Sequence, residues 1–290
     1  MKIKRNQAFT LIELLVVITI IAILASLAVP AFTMVQTQGN QMKGVNNCKQ
    51  IILALKQFSK DNNSQYPDSQ QNPLTGSMAQ NANDAYRFMI QEQIVTDERI
   101  FGCPAGYTPN NDIGQAPNYG NALMPGENHW AMTGNQTDTT VGNMPIVYEN
   151  PVSINWPPLW NADVAGQIAP GRTWPGGKII IGRNDGSVAV EALAGKRGMI
   201  GPKIMAGGLN LFTQASQGIP QRILQVVYGN SGMNTNSGTV PQGQMPNGLP
   251  PAGIGAPAPL GGGLPGGAPP AAPLGGGAPG APGGLPPSGL

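Results

Sequence analysis

Apolar residues run almost continuously near the start of the chain and become periodic a little further on. From Phe9 to Val35 the run is broken only by isolated residues such as Thr10, Ser26 and Pro30, and by one acid, Glu13. At about 1.5 Å per residue, a helix of this length spans a hydrocarbon core of about 30 Å. Beyond it, Met42, Val45, Cys48, Ile52, Leu55 and Phe58 recur at steps of three and four, with Lys43, Asn46, Lys49 and Lys56 between them. That spacing predicts an amphipathic helical extension whose apolar face rests on another element. Pro30 removes a backbone donor, so a kink or melted turn is expected there, and Gly39 and Gly44 weaken the region further. Asp61-Asn62-Asn63-Ser64 ends the helix.

The pattern then changes to short segments. Residues 68–82 read as loop, and Asn83 is the expected N-cap of a short helix through Tyr86, Met89, Ile90 and Ile94. Residues 104–177 are dense in Pro, Gly and Asn, with a strand candidate at 145–149. Two β-rich runs, 178–182 and 187–191, flank Arg183-Asn184-Asp185-Gly186 and predict a hairpin. Short helical pieces are expected near 209–216 and 220–228. From 241 to 290, 30 of 50 residues are Gly or Pro, without collagen's period, so this stretch reads as a disordered tail. The divisions are 1–8, a basic leader; 9–35, a spanning helix; 36–60, its amphipathic extension; 61–228, an α+β head; and 229–290, the tail.

Charge narrows the partners. The 290 residues carry 16 basic and 14 acidic side chains, a net +2, and losing Lys2, Lys4 and Arg5 with the leader would leave −1. A near-neutral surface argues against nucleic-acid binding by bulk electrostatics. Cys48 and Cys103 can either form a disulfide, as exported proteins allow, or pack separately on a helix face and in a turn. Two cysteines and the single histidine, His129, are too few for a zinc site. No nucleophile elbow, Walker loop, HExxH or dinucleotide fingerprint is present, so no enzymatic activity is expected. Asp84, Glu92, Asp97 and Glu98 read as exposed surface; Trp156, Trp160 and Trp174 read as packing.

The leader carries the most specific signal. Lys2, Lys4 and Arg5 precede the apolar run, which places the leader in the cytoplasm and the rest of the chain outside it. A secretory signal is cut after its apolar region. Here the polar-to-apolar junction is Ala8/Phe9, ahead of that region, so cleavage there would leave the helix on the mature protein. Ala8-Phe9-Thr10-Leu11-Ile12-Glu13, with the later Pro30, resembles the N-terminal signature of type IV prepilins and type II secretion pseudopilins. Ala8 stands where that family usually has Gly.

The resemblance implies a pilin-like fold, with the long helix packed on a small antiparallel sheet. It also implies cleavage between Ala8 and Phe9 by a prepilin peptidase and N-methylation of Phe9. The mature subunit would sit in the inner membrane with its head outside, and then join other copies and related pilins in a filament through the membrane assembly machinery. Thr10, Glu13 and Pro30 are the implied assembly residues. A carboxylate in an apolar helix costs about 2.5–3.5 kcal/mol on insertion scales. In the family, Glu13 meets the new α-amino group of a neighbour; the competing reading is an acid that snorkels or is protonated at the membrane edge. A membrane-anchored surface binding or adhesion protein, using the signature only for export, is the alternative function, and a tethered enzyme is a third.

A second likeness is to pilin-like proteins with a His, nine residues, then Asp-Gly. Asp185-Gly186 fits, but Pro175 occupies the histidine position. Some pseudopilins bind calcium near a C-terminal loop, which makes Asp185 and Asn184 calcium candidates; one acid is few ligands for that ion, and a hairpin turn accounts for both residues. No other cofactor is expected.

Overall fold

The computed structural model describes residues 10–228. Ala8, Phe9, the leader and the Gly/Pro-rich tail lie outside the described residues. The architecture is a long N-terminal helix packed against an antiparallel sheet. Helix α1 runs from Leu11–Asp61, and buried positions begin only at Gly44. The helix passes through Pro30 without interruption, so the expected melted turn does not form. Proline there leaves the carbonyl four residues earlier without its donor. The turns on either side remain bonded, and the Thr33 hydroxyl donates to the Pro30 carbonyl at 2.9 Å.

Helix α2 (Ala82–Gln91) follows a loop and begins two residues earlier than the sequence predicts. Asn81 caps it by accepting from the Asp84 N–H at 2.9 Å. Asn83 is instead buried and donates to the Leu123 carbonyl at 2.8 Å, so its amide serves the tertiary fold. The strands are β1 (Trp130–Thr133), β2 (Pro145–Glu149), β3 (Trp160–Asn161), β4 (Lys178–Arg183), β5 (Val188–Ala192), β6 (Met199–Ile200) and β7 (Ile223–Leu224), with helix α3 (Leu211–Ala215) before the last. Five of them form one sheet in the order β5-β4-β2-β1-β7, and β3 pairs with β6. The β4–β5 hairpin is as the sequence predicts, and its turn needs Gly186 at φ +87°. Residues 223–224 are strand and not helix, because they pair with Met132 and Thr133 at the sheet edge.

The two faces of the sheet bury different sets. Trp130, Met132, Ile146 and Ile180 face α1, where Cys48, Ile51, Ile52, Leu55 and Phe58 meet them. Ala131, Tyr148, Ile179 and Ile181 point the other way, onto Trp160 and Phe212. The period-2 alternation of the strands therefore meets the helical period of residues 44–58. Two glycines set the spacing. A Cβ on Gly44 would stand 2.7 Å from Ile180 Cδ1, and one on Gly182 would stand 2.7 Å from Cys48 Sγ.

Candidate functional site: an uncovered helix and a buried charge cluster

The first half of α1 is uncovered. Every residue from Leu11 to Gln36 is exposed, including Ile12, Leu15, Ile18, Ile21 and Leu24. The helix is long and apolar enough to cross a membrane, and none of its most apolar stretch is buried. Leaving so many aliphatic side chains in water is unfavourable by about 1.5–3 kcal/mol each, so this surface needs lipid or other helices around it.

Its start is locally organised. Thr10 is the N-cap and forms a capping box with Glu13. The Thr10 hydroxyl accepts from the Glu13 N–H at 3.3 Å, while the Glu13 carboxylate accepts from the Thr10 N–H at 2.8 Å and its hydroxyl at 2.7 Å. Within one chain, then, Glu13 closes its own helix terminus, and its charge complements the N-terminal dipole. The carboxylate remains exposed, one turn from the start of the described chain.

A second assembly lies inside the head, and sequence reasoning missed it. Glu149, at the end of β2, is fully buried. Its Oε1 accepts from Arg172 Nη2 at 3.0 Å and lies 3.0 Å from His129 Nε2, and its Oε2 accepts from the Ile180 N–H at 3.0 Å. The Arg172 guanidinium also stacks 4.5 Å from the centre of the Trp174 ring. His129 is thus a buried partner of Glu149. Burial holds its imidazole pKa below the usual histidine value, partly offset by the hydrogen bond and charge of Glu149.

Cys103, His129 and Glu149 bring potential ligand atoms within 4.8 Å of one another. Thiol, imidazole and carboxylate suit a borderline-soft divalent ion. Arg172 changes that reading, because its Nη2 also lies 3.7 Å from Cys103 Sγ. Burial pushes the Cys103 thiol up to about 12, so it stays protonated. A permanent cation paired to Glu149 beside a neutral thiol makes a self-compensated ion pair, which needs no metal to balance it.

The remaining candidates lie within the packing and turns of the head. Cys48 and Cys103 are buried free thiols; Cys48 lies against the Val147 carbonyl and Cys103 against Arg172. Asn184 is buried, with its Oδ1 accepting from the Tyr66 hydroxyl at 2.6 Å, while Asp185 is exposed and caps the turn by accepting from the Ser187 N–H. The amide oxygen of the calcium pair is thus already engaged. Glu98, expected at the surface, is buried because its carboxylate accepts the Leu123 N–H at 3.0 Å and so fixes the loop above α2. Trp160 and Trp174 are core residues and Trp156 is half-buried.

Comparison with known proteins agrees with the N-terminal part of this picture. Residues 3–29 match the family described as the prokaryotic N-terminal methylation motif. The chain is 44% identical over 54 residues to the type IV major pilin protein PilA of Myxococcus xanthus (strain DK1622), covering 19% of this chain and 24% of that protein. It is 40% identical over 68 residues to the type II secretion system core protein G of Aeromonas hydrophila, covering 23% and 47%. The corresponding protein of Pectobacterium carotovorum subsp. carotovorum is 37% identical over 67 residues, covering 23% and 42%. The chain thus spans between a quarter and a half of the length of these relatives. No solved structure matches it. The chain is prepilin-like: it carries the methylation motif and a distant, partial similarity to pilins and pseudopilins. Its apolar N-terminal helix is consistent with inner-membrane anchoring before assembly.

Proposed function

We propose that this protein is a structural subunit of a type II secretion pseudopilus or a type IV pilus-like filament. A prepilin peptidase cuts between Ala8 and Phe9, Phe9 is N-methylated, and the subunit waits in the inner membrane on α1 before it is drawn into the filament. The observation that carries this reading is the uncovered apolar half of α1, which starts inside the matched methylation motif. A lone chain has no cover for that surface outside lipid, whereas a bundle of identical helices covers it on all sides. Partial similarity to both a type IV pilin and a type II core protein supports the class without choosing between them.

In the filament, Glu13 faces the α-amino group of a neighbour's Phe9 and sets axial register. Opposite charges in an apolar bundle attract strongly, and an unpaired one is penalised, so the pair selects one stagger between helices. The capping box favours a second reading, a solitary anchored surface protein, because Thr10 already satisfies Glu13 within one chain. Electron microscopy of sheared cell-surface material, with an antibody to the head, separates the two. Wild-type chain is expected in filaments and the Glu13→Ala variant in the membrane only; equal incorporation of both would overturn the register role, and a wild-type chain found solely in membranes would favour the second reading.

A further inference from the structure

The end of the head that faces the uncovered half of α1 is basic. Strand β4 runs in the same direction as α1, since Gly44 lies against Ile180 and the later Cys48 and Ile52 lie against Gly182. The beginning of β4, at Lys178, therefore points toward the exposed half of the helix. Strand β5 is antiparallel and ends with Ala192 opposite Lys178. The segment after it turns at this same end, as the Leu193 N–H donates to the Gly177 carbonyl at 2.8 Å. Lys196 passes close to Gly177, and Pro202 pairs back with Leu193.

Lys43, Lys178, Lys196, Arg197 and Lys203 are all exposed here. Among the described residues none of the five is in an ion pair; Glu191, opposite Ile179 at this same end, is already paired with Arg183, and toward the other end Lys56 pairs with Asp138. An exposed acid beside them is Asp163, next to Ala162, whose N–H bonds the Gly198 carbonyl; Asp97 is already paired with Arg99. Large apolar side chains are interspersed on the same segment, with Met199 52% and Ile204 62% exposed. Unpaired cations alternating with exposed aliphatic groups fit a headgroup layer of anionic lipid.

The height matches. If Val35 marks the hydrocarbon boundary, Lys43 stands eight residues, about 12 Å, beyond it. A headgroup layer is about 5–8 Å thick, so the basic end clears it by a distance shorter than the Debye length of about 8 Å at physiological salt. We propose that this end of the head is a lipid-docking face, on which Lys43, Lys178, Lys196, Arg197 and Lys203, with Met199 and Ile204, seat the head on anionic phospholipids of the bilayer that α1 spans. The inference rests on the membrane-spanning reading of α1 above. Docking holds the waiting subunit upright, and entry into a filament must break it.

Lysine acetylation of the full chain in nanodiscs tests it, with modification at Lys178, Lys196 and Lys203 measured against Lys60 by mass spectrometry. Lys60 lies 17 residues beyond Lys43, about 26 Å further from the bilayer along the helix. In discs containing phosphatidylglycerol, the three lysines should be modified at least about fivefold less, relative to Lys60, than in pure phosphatidylcholine discs. High salt should abolish the difference, as should the K196E/R197E/K203E variant, read at Lys178. Equal ratios in the two lipids, in a chain that resists carbonate extraction, would overturn the docking face and leave the anchored helix intact. A chain that carbonate removes would overturn both, and protection present only in filaments would assign the face to a protein neighbour instead.

Discussion

Glu149 is the residue on which the interior of the head most depends. It has no solvent to stabilise its charge, and three donors from separate parts of the chain surround it: His129, Arg172 and the Ile180 N–H. Removing one member of such a buried pair leaves the other uncompensated. Glu149→Gln should lower unfolding free energy in chemical denaturation by about 3–5 kcal/mol, while the paired change E149L/R172M should recover a substantial part of it. The histidine adds a pH dependence. Burial depresses its folded pKa below the ordinary value of about 6.5. The unfolded chain therefore takes up a proton more readily, so this contribution to stability is complete above about pH 6.5 and is lost as pH falls toward and through the lower folded value. Asp68 and Glu98, whose carboxyls burial raises, work in the opposite sense at lower pH. Comparing wild type with His129→Gln in thermal melts from pH 7 downward isolates the term: the wild-type midpoint should fall more steeply just below neutrality, and parallel curves would contradict it. No sequence pattern announces this cluster. Cys103 and Arg172 are 69 residues apart and both lie outside the strands, and it is the pairing of β1 with β2, Trp130 opposite Glu149, that puts His129 beside Glu149.

At the scale of elements, the contact between α1 and β4 fixes the head on its stalk. It is close because two small residues allow it, Gly44 on the helix side and Gly182 on the strand side. Gly44→Val should force Ile180 and Cys103 to move and cost about 1–3 kcal/mol, whereas Gly39→Ala, with nothing within 4 Å, should be neutral or stabilise by up to about 1 kcal/mol. Equal midpoints for the two variants in denaturant would contradict the close packing. The elements that sequence reasoning finds correctly are those with local signals. The amphipathic spacing of 42–58 and the turn at Arg183-Asn184-Asp185-Gly186 are each written within a few residues of the structure they form. The errors come where a distant partner decides. Asn83 looks like a cap but is taken by Leu123, Glu98 looks exposed but is covered by the same loop, and Ile223 and Leu224 become strand only because β1 offers an edge. Pro30 is the converse case: the local rule predicts a break, and the turns around it keep the helix whole.

At the scale of the whole molecule, a compact head with its own core is joined to an apolar rod that has no core to enter. The rod and its signature were legible because they are contiguous: Thr10, Leu11, Ile12 and Glu13 sit together, and the aliphatic run follows at once. The head's surface chemistry was not, since the basic end is assembled from α1, the start of β4 and the segment after β5. Under the proposed function the rod is kept, trimmed at its start and then buried among other copies. Mass spectrometry of the N-terminal peptide, from protein isolated in membranes and in sheared filaments, tests this most directly. The predicted result is a chain beginning at Phe9 and carrying one added methyl group in both fractions. A chain beginning at Met1, or one cut after the apolar run, would contradict it.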